Sequence, residues 1–214
     1  DWSSDVCSSD LFGASLARNR ARAERAHGDG LAVGLDSPEA FEEVFWRGRL
    51  GDGHIEAGRL APERVPSRAD IEGFRRFVGR VVAAAAPERR YLSKNNTNLL
   101  RLAALRRAFP DAVILVPFRD PESFVRPVLD QHARRMAIHR EDRFARRYMG
   151  WLGHFEFGAD FRPLGLEEVP PFDGPPEALD RDYLFAYWCA VHRWLLAARP
   201  ADCRLVDYRG LCAE

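Results

Sequence analysis

The chain contains thirty-one arginines and one lysine, Lys94. A compact ammonium and a planar guanidinium are not interchangeable, so the lone lysine either marks a place that needs a point charge or is a chance of composition. Asn95 and Asn96 follow it in a turn, where asparagine side chains orient a ligand or simply cap the next helix. A second cation, Arg119, directly follows an apolar run and precedes Asp120-Pro121, a helix-opening pair. In a parallel sheet a guanidinium there faces a bound nucleotide phosphate; read alone, the tripeptide is equally a helix cap beside a surface arginine. The candidate proton acceptors are Glu42, Glu43, His54 and His154. An adjacent glutamate pair on an amphipathic helix is ordinarily solvated. His154, beside Trp151 and Phe155, is more often a helix-end or core histidine than a base, and His132 reads as a helix-surface or packing residue.

These groups need elements to hold them. Residues 91–94 predict a short strand, 97–108 a helix and 112–118 a fully buried strand. That strand, helix, strand unit implies a parallel sheet covered by helices, with ligands at the carboxyl ends of the strands, where Lys94 and Arg119 fall. Residues 204–208 predict a third parallel strand, followed by the start of a helix at the end of the chain. Upstream, 12–27 reads as an exposed helix stopped by Gly28-Asp29-Gly30, and 31–35 as a short strand. Asp36-Ser37-Pro38-Glu39 opens a helix with Phe41, Val44 and Phe45 as its apolar stripe, ending near Gly48. Ser67 caps a long helix in which Ile71, Phe74, Val78, Val81 and Val82 recur at helical spacing, closed by Pro87. Residues 122–137, 141–151 and 183–198 predict further helices, and 51–66 and 161–180 are loops rich in glycine or proline. Trp46, Phe155, Tyr187, Trp188 and Trp194 either line a pocket or, as helical aromatic stripes usually do, form core.

At 214 residues and 46% hydrophobic composition the chain supports one domain with a sizeable core. Thirty-two basic residues balance thirty-two acidic ones, so no global field recruits nucleic acid, and no apolar run approaches a membrane span. Four cysteines without paired spacing suit a reducing, cytoplasmic setting. The histidines are scattered and no HExxH occurs, so no metal site is expected. Residues 1–11 read as a sequencing adapter translated in frame and are set aside, leaving 12–214 as a partial domain cut at both ends.

Taken in order, Tyr91-Leu92-Ser93-Lys94-Asn95-Asn96, Phe109-Pro110-Asp111-Ala112, Val116-Pro117-Phe118-Arg119-Asp120-Pro121 and Gln131-His132 form a series. With Asp36 to Glu43, Trp151-Leu152-Gly153-His154, Glu156-Phe157-Gly158 and Val206-Asp207-Tyr208, that series resembles the bacterial branch of the sulfotransferases that use 3′-phosphoadenosine 5′-phosphosulfate (PAPS). The resemblance implies a three-layer α/β fold of the P-loop type, with a central, mostly parallel sheet flanked by helices. It implies PAPS as sulfuryl donor and a hydroxyl, or less often an amine, as acceptor. It implies that Arg119 holds the 3′-phosphate and that Tyr208 lies near the adenine; Lys94, at a strand end beside the crevice, is then placed to stabilise the leaving group, and Asn95 and Asn96 to orient the acceptor or sulfonate.

Three departures accompany it. The glycine-rich 5′-phosphosulfate loop of the family is expected before Phe12, so the fragment itself is expected to be inactive. The serine that partners the 3′-phosphate arginine is replaced by Pro127, which has no N–H or hydroxyl, leaving Ser123 as a substitute. The histidine that animal members place two residues after the lysine is Asn96 here. The acceptor is of unknown type and the sequence carries no signal of oligomeric state. Two other readings stay open: a noncatalytic binding domain of the same fold, and a P-loop kinase, which a GxxxxGK[ST] loop would mark.

Overall fold

The computed structural model describes residues 42–62, 64–85, 90–199 and 203–212, together with the backbone of 23–24 and 32–33. The leader at 1–11, the helix start at 36–39 and Pro87 lie outside the described residues. The first elements are two short strands, β1 (Ala23–Glu24) and β2 (Ala32–Val33), paired antiparallel. β1 replaces the expected helix at Ala23 and Glu24, in a segment with few apolar anchors to hold a helix against a core; the rest of 12–27 lies outside the described residues.

Helix α1 (Glu42–Leu50) follows, then α2 (Arg68–Ala85). The start of α2 is a reciprocal cap: Ser67 N–H and Oγ–H donate to Asp70 Oδ2 at 2.9 and 2.8 Å, and Asp70 N–H donates back to Ser67 Oγ at 3.2 Å. Its buried stripe, Ile71, Phe74, Val78 and Val81, keeps the predicted spacing. The stripe of α1 does not: Val44 is exposed, and the buried face carries Glu42, Glu43 and Trp46.

Residues 91–94 form no strand beyond a single bridge at Tyr91. The next helix begins as a 3₁₀ segment, Asn96–Arg101, because Asn95 Oδ1 accepts the Thr97 N–H at 2.9 Å and tightens the first turn. It continues as α3 (Leu102–Ala108). Strand β3 (Leu115–Phe118) leads into α4 (Pro121–Glu141), α5 (Arg143–Trp151), α6 (Arg181–Ala198), β4 (Arg204–Asp207) and α7 (Tyr208–Cys212). β3 and β4 pair in parallel, Leu115 opposite Arg204 through Phe118 opposite Asp207. The architecture is therefore broadly α/β, mixed helix with a parallel strand pair.

β3 is not fully buried. Its exposure alternates, and Leu115 is 52% exposed. A parallel strand is apolar on both faces because helices normally cover both. Here Ile114 and Val116 pack against a buried cluster that includes Leu102, Val191 and Leu195, while the face of Leu115 and Pro117 stays open among the described residues. Two further cores complete the packing. Trp46, Ile71, Phe74, Val78, Ala104 and Ala108 join α1, α2 and α3, and Val125, Phe161, Leu179 and Leu184 join α4 to α6 and the loop before it.

Candidate active site

The N-terminal turn of α1 opens on Glu42 and Glu43, where the helix dipole favours carboxylates, yet both are buried and neither is solvated. A buried carboxylate needs partners. Glu43 has them: Arg101 donates from Nη1 to Oε2 at 2.8 Å and from Nη2 to Oε1 at 2.9 Å, and Asn95 Nδ2 donates to Oε2 at 2.8 Å. His54 Nε2 lies 3.8 Å from Oε1. Burial alone pushes the Glu43 carboxyl up, but the bonds and charge of Arg101, the Asn95 amide and His54 outweigh it and hold the group below the ordinary carboxylate range. Glu42 accepts from Tyr91 Oη at 2.5 Å and from Asn98 Nδ2 at 3.4 Å. Arg101 reaches inward because it stands where the 3₁₀ segment meets α3, and its guanidinium lies 5.4 Å from the Trp46 ring. Trp46 is thus core.

A second group is built on the turn after α5. Gly153 adopts φ +77°, and a Cβ there would come within 2.2 Å of Glu43 Cγ. Only glycine lets this turn approach the α1 carboxylates. The turn then presents His154, whose Nδ1 lies 3.5 Å from Glu156 Oε2, while Asn96 Nδ2 donates to Glu156 Oε1 at 2.9 Å. Burial raises the Glu156 carboxyl, but the hydrogen bond and charge of His154, its own backbone N–H and the Lys94 ammonium together hold it at about 2. Lys94 is exposed beside this group. Glu156 was not among the expected site residues. Its place two residues after His154, inside an otherwise apolar stretch, is the signal that could have marked it.

The third group sits at the carboxyl ends of β3 and β4. The parallel register sets Arg119 beside Tyr208, one residue past each strand, and the guanidinium lies 3.7 Å from the Tyr208 ring centre. Trp188 Nε1 donates to the Arg119 carbonyl at 3.1 Å, fixing α6 against the strand end. Asp120 caps α4, accepting the Ser123 N–H on Oδ1 at 3.0 Å, and Arg209 bonds its other oxygen. The Ser123 N–H and side chain, together with Arg209, hold the Asp120 carboxyl at about 2. The Ser123 side chain is therefore engaged in the cap. Pro127 lies inside α4, where it offers no backbone donor.

The structure accordingly brings Glu42, Glu43 and Asn95 together, sets Lys94 and His154 around Glu156, and gathers Arg119, Ser123 and Tyr208 at the strand ends. His132 and His139 pack elsewhere, against the 3₁₀ turn Gly158–Asp160. Among the described residues no group of three His, Cys, Asp or Glu is placed to hold a metal ion, and no helix is long and apolar enough to cross a membrane. No protein-family model matches the chain, and no curated protein or solved structure matches it.

Proposed function

We propose that the chain is part of a PAPS-dependent sulfotransferase, with β3, β4 and their helices belonging to a three-layer fold of the P-loop type. The observation that carries this reading is Arg119 stacked on Tyr208 at the carboxyl ends of two adjacent parallel strands, directly before the 21-residue α4. A cation, a flat ring and a helix N-terminus meet there, a combination suited to a phosphate joined to a nucleobase. The fit is partial, because Asp120 already occupies the helix cap and Pro127 offers no donor.

PAPS, when bound, supplies the sulfuryl group and leaves as 3′-phosphoadenosine 5′-phosphate. In this reading Arg119 neutralises the 3′-phosphate and Tyr208 covers the base. Lys94 places its ammonium where negative charge grows on the departing oxygen, the role that cations fill in the related phosphoryl transfers. Proton removal from the acceptor falls to His154. Its side chain keeps 33% of its exposure, whereas Glu42 and Glu43 are sealed in the core. Glu156 is a positioning residue, its Oε2 lying 3.5 Å from His154 Nδ1. Glu43, fully engaged by Arg101, holds the turn in place.

The Asp120 carboxylate at the α4 terminus favours a second reading, a noncatalytic domain of the same fold. Calorimetry with 3′-phosphoadenosine 5′-phosphate separates the two. Micromolar binding that disappears in Arg119→Ala and weakens in Lys94→Ala supports the sulfotransferase. No binding supports the noncatalytic domain, and preference for ATP with magnesium supports a kinase.

A further inference from the structure

Beside the carboxylate groups lies a cavity of about 430 Å³ between α1, α5 and the segment 155–162. Four arginines line it, and their bonds divide them into two kinds. Arg47 donates to both oxygens of Asp52, at 2.6 and 3.0 Å, and Arg146 to both oxygens of Asp160, at 2.7 and 2.7 Å. These two cations are matched.

Arg147 and Arg162 are not. Arg162 donates to the carbonyls of Glu56 and Asp160, at 2.7 and 2.8 Å, which hold it in place without cancelling its charge. Arg147 has no ion pair among the described residues. Each of the two stands over an aromatic ring that also lines the cavity: Arg147 lies 5.5 Å from the Trp151 centroid, and Arg162 lies 5.0 Å from that of Phe155. Among the described residues that line the cavity, four guanidinium ions face two carboxylates, an excess of about two positive charges. It sets them against two flat apolar faces, and Trp151 keeps 53% of its surface open.

We infer that this cavity binds a small aromatic anion, its carboxylate or sulfate taken by Arg147 and Arg162 and its ring lying against Trp151 and Phe155. Planar guanidinium groups suit an oxyanion held by two parallel bonds, and partial enclosure strengthens them. The same segment, 150–156, supplies both the cavity wall and the His154–Glu156 pair, and α1 supplies both Glu43 and Arg47. On the sulfotransferase reading, on which this last step rests, the anion is the acceptor.

The test titrates the full 214-residue chain with 4-hydroxybenzoate and with its neutral methyl ester, without nucleotide, by calorimetry. The acid should bind at least about tenfold more tightly than the ester, the scale of one charge-assisted contact. Arg147→Ala and Arg162→Ala should each remove most of that preference, Arg147→Lys should restore part of it, and Arg119→Ala should leave it unchanged. Equal binding of acid and ester, or wild-type preference in both alanine variants at unchanged melting temperature, overturns the inference. Binding of the acid by a chain that binds no 3′-phosphoadenosine 5′-phosphate keeps the anion site and overturns its role as an acceptor subsite. Nucleotide binding without acid binding overturns the site and leaves the nucleotide reading intact.

Discussion

Arg101 and Glu43, 58 positions apart in the chain, close a two-bond fork at 2.8 and 2.9 Å with both side chains almost wholly out of water. The fork joins the start of α1 to the junction of the 3₁₀ segment and α3. Through Asn95 and Gly153 it also fixes the two turns that carry Lys94 and His154. Breaking it should cost far more than losing a surface pair. Arg101→Met leaves a buried carboxylate without its cation and is expected to destabilise the chain by about 3–5 kcal/mol in denaturant unfolding. Adding Glu43→Leu should recover much of that loss, because the doubly apolar site buries no charge. If the single variant unfolds like the wild type, the fork is not structural.

Gly153→Ala places a methyl against Glu43 Cγ on a left-handed backbone. The backbone alone costs about 1–2 kcal/mol, and displacement of Glu43 adds to it. Gly150→Ala is the control: it lies in α5, with nothing within 4 Å of its added Cβ. It should be neutral or slightly stabilising, by about 0.5–1 kcal/mol at most. Thermal melts of the two variants decide the matter, and equal melting temperatures would count against the Gly153 contact.

His132 Nδ1 accepts the Gly158 N–H at 3.2 Å, so its proton sits on Nε2, donated to the Pro176 carbonyl at 2.8 Å. Burial depresses both His132 and His139 below their ordinary value, only partly opposed at His132 by the Pro176 bond and the charge of Glu177, and at His139 by Asp160. The folded state thus favours the neutral rings. Their contribution is fully present above the unfolded value of about 6.5 and is lost as pH falls through the lower folded values. Melting temperature should drop from pH 7.5 to pH 5, and less steeply in His132→Gln. A parallel decline in wild type and variant would exclude His132 as a cause.

If His154 removes the acceptor proton, His154→Gln should slow transfer by about 10²–10⁴-fold and abolish the acid limb of the pH–rate profile. Glu156→Gln should retain that limb and move it to lower pH, because the carboxylate that favours the charged imidazole is gone. Unchanged profiles in both variants would exclude His154 as the base.

Local signals in the sequence determined most of the helices. The Ser67–Asp70 cap, the stripe from Ile71 to Val81, Asp120-Pro121 before α4 and Asp180 at the start of α6 act through backbone donors and side chains within four residues of one another. The apolar runs likewise marked β3 and β4 as strands, and the residues after them as the strand ends. Tertiary structure alone decided that Arg119 and Tyr208 share one edge, because parallel register joins segments 89 residues apart. It also left one face of β3 open, buried the two glutamates of an outwardly amphipathic helix, and chose Arg101 from thirty-one arginines as the counter-charge of Glu43. Backbone capping is a short-range bond whose partners lie within a few residues of each other in the sequence. The pairing of a desolvated charge depends on which distant side chain the packed core brings within 3 Å.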